Sequence, residues 1–311
     1  MESGRIVIGT DIGGSHIHCM AVDLSHKMLM PELSSRKTVN SQASSEEILG
    51  TWAAALEECI SKAGVSRVGG IGFAMPGPFD YPRGLALFCG VKKYDALCNV
   101  DVRDEIRRRI NLPGEVPVRF MNDATCFAVG EAWMGAASAF RRTAAITLGT
   151  GFGSSFLLDG IPVESGEEVP ACGCVYHLPY RESIANDYFS SFWFETEYEN
   201  RFNLPSPGVR VMTDQAKTDA SVRKLFADFG SNLGGFLAPW LLLFRAECIT
   251  IGGNITRSYD LFGPAFREAL AGARCNTELL LSTLGEHAAI AGSARLSDDG
   301  YYSRLPFISN K

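Results

Sequence analysis

The first chemical signal in this 311-residue chain is a glycine-rich turn that occurs twice. Residues 8–15 read Ile-Gly-Thr-Asp-Ile-Gly-Gly-Ser, and residues 148–155 read Leu-Gly-Thr-Gly-Phe-Gly-Ser-Ser. A Gly-Thr-x-x-Gly-x-Ser frame is therefore repeated about one half-chain apart. Each copy follows a short apolar run, Arg5-Ile6-Val7-Ile8 or Ala144-Ala145-Ile146-Thr147-Leu148, and precedes an alternating stretch that reads as a returning strand. The tip of such a unit offers backbone N–H groups to phosphate without side-chain bulk in the way. Gly13, Gly14 and Ser15 are the candidates in the first copy, and Thr150 and Gly151 in the second. One copy alone reads equally well as an ordinary hairpin; two copies argue for two related lobes.

Asp11 sits in the first turn. A carboxylate among phosphate-binding amides repels the ligand unless a divalent cation lies between them, held directly or through water. The alternative is a turn residue bonding its own backbone. Asn122-Asp123 ends an apolar run and begins a helical pattern. Ligands of open α/β sheets collect at such strand ends. There an Asp accepts a proton from a hydroxyl nucleophile and an Asn bonds adjacent hydroxyls; a helix N-cap is the competing reading. Gly252-Gly253-Asn254 also follows a strand and admits a flat ligand such as a purine ring, unless the glycines serve only a turn of positive φ. Together these elements describe phosphoryl transfer: a positioned phosphoanhydride, Mg²⁺ for its charge, and an acceptor oxygen near a base. Neither a Gly-x-x-x-x-Gly-Lys-Ser/Thr loop nor the protein-kinase signatures occur.

The elements that must hold these residues alternate between strand and helix, which predicts an α/β protein. A helix is expected over 44–64, with a Ser44-x-x-Glu47 capping box and Ile48, Leu49, Trp52, Leu56, Cys59 and Ile60 at helical spacing. Strands are expected at Val68–Ala74, before Pro76-Gly77-Pro78, and at Val116–Met121. The region 164–207 reads as irregular. A helical region over 220–244 reads as interrupted by Gly234-Gly235, and its apolar run Phe236–Phe244, with Pro239, as buried helix. A strand over 247–251 and a last helix over 286–296 complete the pattern.

Composition narrows the function. Hydrophobic residues make up 46% and charged residues 21%, and the formal net charge is −6, so a nucleic-acid or membrane-surface partner is not expected. Arg107-Arg108-Arg109 reads as a solvated helix face. No run reaches the roughly 18 apolar residues of a membrane span. Strand-like residues from Arg5 leave no signal peptide, and nine cysteines, an odd and sparse number, read as reduced thiols of a cytoplasmic protein.

The arrangement resembles the ROK family of sugar kinases and related repressors, glucokinase-like or N-acetylhexosamine-kinase-like, within the actin-like ATPase fold. The resemblance rests on Asp11-Ile12-Gly13-Gly14-Ser15, Gly70-Ile71-Gly72 through Pro76-Gly77-Pro78, and Val118 through Asn122-Asp123-Ala124 to Gly130-Glu131. It continues through Leu148-Gly149-Thr150-Gly151-Phe152-Gly153, Ile251-Gly252-Gly253-Asn254 and Gly292-Ser293-Ala294. It implies a two-lobed, ribonuclease H-like α/β fold with duplicated mixed sheets and an interlobe cleft. The lobes would be residues 1–123 with 288–311, and 124–287. It implies ATP-dependent phosphorylation of a hexose or N-acetylhexosamine by a homodimer. Asp123 would be the base; Asn122, Gly77 and His177 would face the sugar. Asp11, Gly13, Gly14, Ser15, Thr150 and Gly151 would face the phosphates and Mg²⁺, and Gly252, Gly253 and Asn254 the adenosine.

The chain also departs from the family pattern. The family's Gly-Glu-Ile-Gly-His motif, whose Glu and His hold the sugar, is matched by Gly173-Cys174-Val175-Tyr176-His177, with Cys174 where the Glu stands. The Cys-x-Cys-Gly-x-x-Gly-Cys run of the family's structural zinc is absent, so no structural zinc is expected. Where that run supplies another sugar-binding Glu, the nearest counterparts are Asn186 and Asp187. Glu164, Glu167 and Glu168 lie just upstream as replacement carboxylates or as a solvated loop. Two further readings follow: a sugar or nucleotide sensor with weakened transfer, and a repressor working through a separate DNA-binding partner. The acidic charge and the lack of a helix-turn-helix before the first strand count against the repressor.

Overall fold

The apolar run that opens the chain forms a strand covered on both faces, which is why it reads as nearly continuous hydrophobic residues. In the computed structural model, which describes residues 6–110 and 115–309, this strand is β1 (Ile6–Ile12). Arg5, read above as its first residue, lies outside the described residues. The chain continues through β2 (His16–Asp23), β3 (Met28–Thr38), α1 (Ser45–Ala63), β4 (Val68–Met75), β5 (Phe79–Asp80) and β6 (Leu85–Ala86). Then come α2 (Val102–Arg109), β7 (Val118–Asn122) and α3 (Asp123–Met134). The next segment holds β8 (Arg142–Leu148), β9 (Phe152–Leu158), β10 (Ile161–Pro162), β11 (Pro179–Tyr180), β12 (Ser183–Ile184), α4 (Ala185–Tyr188) and α5 (Ser191–Phe202). It ends with α6 (Val209–Gln215), α7 (Ala220–Phe244), β13 (Cys248–Gly252), α8 (Tyr259–Gly272) and β14 (Glu278–Leu281). The chain closes with α9 (Ala288–Arg295), α10 (Asp299–Tyr302) and α11 (Pro306–Ser309).

Two units result, Met1–Met134 with Glu286–Lys311, and Gly135–Gly285. Each contains one five-stranded sheet, and the two sheets share a plan. In the first unit the order is β3-β2-β1-β4-β7, with β1, β2 and β3 antiparallel and β4 and β7 added in parallel. In the second it is β10-β9-β8-β13-β14, with the same split between antiparallel and parallel halves. The duplicated turn in the sequence thus sits on a duplicated sheet. Helix α3, which the resemblance would assign to the second lobe, lies in the first unit, where it packs along α9.

In the first unit, α1 covers one face of the sheet. Ile48, Leu49, Trp52, Leu56, Cys59 and Ile60 are buried, and Ser44 Oγ accepts a 3.3 Å bond from the Glu47 amide, as the capping box predicts. The opposite face is covered by α9, and there the approach is backbone to backbone. A Cβ on Gly9 would lie 2.2 Å from Ile290 O, and one on Gly72 1.8 Å from Ser293 O. On its other side α9 meets α3 as closely: a Cβ on Gly292 would lie 1.9 Å from Cys126 O. Gly9 of β1 and Gly72 of β4 are therefore packing residues.

Several expectations are corrected. Helix α7 runs unbroken for 25 residues through Gly234-Gly235, because α8 packs along it and supplies the stabilisation that propensity lacks. Its apolar end is amphipathic rather than buried throughout: Leu241 and Phe244 are buried, while Leu242 and Leu243 are 46% and 48% exposed. The irregular region 164–207 contains the 12-residue helix α5, whose Trp193, Phe194 and Tyr198 enter the core. Strand β14 extends the sheet, and two short helices follow the one expected to be last. Reduced thiols throughout is also corrected: Cys89 and Cys98, with Cα atoms 4.8 Å apart, form a disulfide, and the other seven cysteines are free. Among the described residues no helix is long and apolar enough to cross a membrane.

The packing of α9 yields a contrast between two glycines inside helices. Gly50 in α1 has nothing within 4 Å of an added Cβ, so Gly50→Ala stabilises by about 0.5–1 kcal/mol through helix propensity. Gly292→Ala gains the same propensity but drives a methyl into Cys126 O, and loses about 1–3 kcal/mol overall. Denaturant midpoints moving in opposite directions are the expected result; a rise for both variants contradicts the packing argument.

Candidate active site

Strand alternation places Val7, Gly9 and Asp11 on the α9 face of β1. Asp11 lies within the strand, opposite His18 of β2 and Ala74 of β4, rather than in the turn where the sequence reading put it. The turn itself is residues 13–15. The Gly13 amide bonds His16 O at 2.9 Å, the Ser15 carbonyl accepts from the Val39 amide at 2.9 Å, and the His16 imidazole fills the space beside Gly13. The amides of Gly14 and Ser15 make no hydrogen bond among the described residues. Two open donors on a tight turn suit an anion.

The parallel strands β4 and β7 bring the other first-unit candidates to the same sheet end. Beyond β4 comes Gly77, joined to Pro78 by a cis peptide bond. Asn122 ends β7 and Asp123 begins α3. Asn122 does act as the helix cap: its Oδ1 accepts from the Thr125 amide at 3.1 Å. Its Nδ2 is left to donate to Asp123 Oδ1 at 3.0 Å and to the Tyr81 hydroxyl at 3.4 Å. Asp123 Oδ1 also accepts from the Ala124 amide at 2.8 Å. The cap reading and the functional reading are compatible, because capping uses one end of the amide and orients Asp123 with the other. Tyr81, which no motif singled out, links this group to the Gly77 segment by donating to Met75 O at 3.3 Å.

Electrostatics couples the two carboxylates. Burial, and then the negative charge of Asp123, raise the Asp11 pKa to about 7, against the pull of Arg36. Burial raises the Asp123 pKa as well, opposed by the Ala124 amide, the Asn122 side chain and the charge of Lys93. Two neighbouring carboxyls pushed toward the protonated form are a deficit of positive charge. A divalent cation would relieve it, and Asp11 fits such an ion directly or through water.

In the second unit, Thr150 and Gly151 form the exposed turn between β8 and β9, while Gly252 ends the neighbouring strand β13 and Gly253 and Asn254 follow it. Gly253 has φ +88, and a Cβ there would lie 2.3 Å from Leu148 O, so these two segments abut. Asn186 joins them, its Oδ1 accepting from the Phe152 amide at 3.0 Å. Asp187 does not. Its carboxylate takes the Ser183 hydroxyl and lines a separate groove of about 680 Å³ with Arg181, Phe192 and Arg201. The segment 173–177 is fixed on β9 by the Val175 amide bonding Ser154 Oγ at 2.8 Å. Cys174 Sγ and His177 Nδ1 are 3.7 Å apart. Burial raises the Cys174 thiol to about 11, with Cys172 and Glu164 adding negative charge nearby. Of the three upstream glutamates, Glu164 is thus the one beside Cys174; Glu168 pairs with Arg142 at 2.6 Å. Lys93 and Tyr94 are the other first-unit residues the motifs missed, since their loop has neither periodicity nor a glycine frame.

A family model described as the ROK family matches residues 7–299. The N-acetyl-D-glucosamine kinase of Pectobacterium carotovorum subsp. carotovorum (strain PC1) is 22% identical, over 82% of this chain and 85% of its own length. The glucokinase of Thermotoga maritima is 27% identical over 73% of this chain and 78% of its own. Among solved structures, a ROK family glucokinase from Streptomyces griseus in complex with glucose and AMPPNP superimposes with a TM-score of 0.70 at 22% identity, covering 94% of this chain and 98% of that one. The fold is the actin-like ATPase fold of that family.

The coupled carboxylates give a pH prediction. The folded-state pKa of Asp11 is raised from 3.8 to about 7, so the native state holds a proton the unfolded chain has lost between those values. Its contribution to stability is present at low pH and disappears as pH climbs toward 7. His18, depressed to about 4, contributes the opposite slope, so the variant comparison isolates Asp11. Asp11→Asn gains stability relative to wild type as pH rises from about 4 to about 7. Denaturation midpoints that stay parallel across that range contradict the shift.

Proposed function

The chain belongs to the ROK family, and on that footing we propose that it is an ATP-dependent sugar kinase acting on a hexose or N-acetylhexosamine. The observation that carries the reading is the first-unit group: an open-amide turn, Asp11, and an Asp123 held by Asn122 and the α3 amide. The kinase names of the relatives at both sequence and structure level support it.

In this reading Asn122 and Gly77 of the first unit are assigned to the sugar, as is His177 of the second unit, where Glu164 stands in for the carboxylate that Cys174 replaces. The hydroxyl oxygen attacks the terminal phosphorus, its proton passes to Asp123, and the bond to the bridging oxygen breaks to release ADP. Burial makes Asp123 a stronger base than an ordinary carboxylate, while its bonds to Ala124 and Asn122 keep it oriented and available in the charged form. Gly13, Gly14 and Ser15 give N–H groups to the phosphates. Thr150, Gly151 and Gly252–Asn254 are assigned to the nucleotide, with Asn186 holding their turn. Mg²⁺ at Asp11 would neutralise phosphate charge.

The replacement of the sugar carboxylate by Cys174 favours a second reading, a sensor that binds sugar or nucleotide without efficient transfer. ADP release with Mg-ATP across hexoses and N-acetylhexosamines separates the two. Turnover on at least one sugar is expected, with Asp123→Asn lowering kcat by about two to four orders of magnitude. A variant within threefold of wild type removes Asp123 as the base, and binding without turnover in wild type supports the sensor.

A further inference from the structure

The loop between Phe88 and Leu97 lies in none of the sequence motifs, yet a side-chain hydrogen bond ties it to the first turn. Tyr94 donates its hydroxyl to Gly13 O at 2.5 Å, and its amide bonds Ser41 O at 2.9 Å. Its ring is buried against Trp52 and Phe88, with centroids 5.4 Å and 5.9 Å away. Gln42 Nε2 donates to Lys92 O, Gly90 N to Asp95 Oδ1, and Cys89 and Cys98 close the loop. Tyr94 holds φ +61, a left-handed conformation that a bulky residue adopts only when its surroundings impose it.

This arrangement delivers one side chain. Lys93, just before Tyr94, folds back over the turn, so that a Cβ on Gly14 would lie 2.8 Å from its Nζ and 3.1 Å from its Cε. Its ammonium makes no ion pair or hydrogen bond among the described residues, although Lys93 is exposed and free to extend into water. Its charge also reaches Asp123. Lys93 therefore stands beside the open amides of the turn, and its charge acts on the carboxylate assigned as base.

We propose that Lys93 contacts the terminal phosphoryl group of the nucleotide, supplying N–H donors to the phosphate oxygens that face away from the turn. The inference rests on the kinase reading for the identity of the ligand. Phosphoryl transfer spreads negative charge over the peripheral oxygens, and a preplaced cation stabilises that charge without forming a bond to phosphorus. The hydroxyl proton still passes to Asp123.

Calorimetric titration of the full chain with Mg-ATP and Mg-ADP, for wild type, Lys93→Met, Lys93→Gln and Lys93→Arg, tests this together with ADP release. A contact to the terminal phosphate predicts that Met and Gln each weaken Mg-ATP about tenfold more than Mg-ADP, while Arg stays within about threefold of wild type. The kcat of Met and Gln falls about a hundredfold, with the sugar KM unchanged. Equal losses for the two nucleotides, or none, overturn the proposal, and so does a wild type that binds no nucleotide. A wild type that binds Mg-ATP, with the selective deficit in Lys93→Met and Lys93→Gln, yet phosphorylates no sugar, upholds Lys93 and removes the kinase reading instead.

Discussion

The first unit depends on one close approach, the backbone of α9 against the backbones of β1, β4 and α3. Gly9, Gly72 and Gly292 leave no room for a methyl at these crossings. The approach does more than fill space. It fixes α3 relative to the sheet, and so fixes Asp123, at the first residue of α3, relative to Asp11 on β1. Each carboxylate then sits in the other's field, and burial adds to the effect. Structural economy and electrostatic tension come from the same contact.

The duplicated sheets show how one frame takes two roles. Both turns are carried between antiparallel strands on the same sheet plan. At the position where the first copy has Asp11, the second has Gly151. The second turn carries no carboxylate, and its neighbouring amide is held by Asn186 instead. The first copy is the one that concentrates charge: two carboxyls, and an ammonium delivered by a loop anchored on the turn itself.

Much of this was legible in the sequence because it is local. The glycine frames, the Ser44 cap with its helical stripe, and the Asn122-Asp123 strand end all follow from neighbours in the chain. What escaped was set by distant partners. Gly234-Gly235 looks like a helix break until α8 is laid against α7. The helix α5 hides among aromatics that lack a clean stripe, since Phe192 is exposed while Trp193 and Phe194 are buried. Lys93 and Tyr94 carry no pattern at all; only the Tyr94 hydroxyl on Gly13 reveals that their loop belongs to the turn. Asp187 shows the converse, for the resemblance paired it with Asn186 as a counterpart of the family's second sugar-binding Glu, and one residue along α4 turns it toward Ser183.

The most direct test of the central claim is a carboxyl-carbon NMR titration of the ligand-free protein, comparing wild type with Asp123→Asn. The account predicts that Asp11 titrates near 7 in wild type and at a lower pH once the Asp123 charge is gone, while remaining above an ordinary carboxylate. An Asp11 that titrates at an ordinary carboxylate value in both proteins would contradict it, because the two groups would then share neither burial nor field.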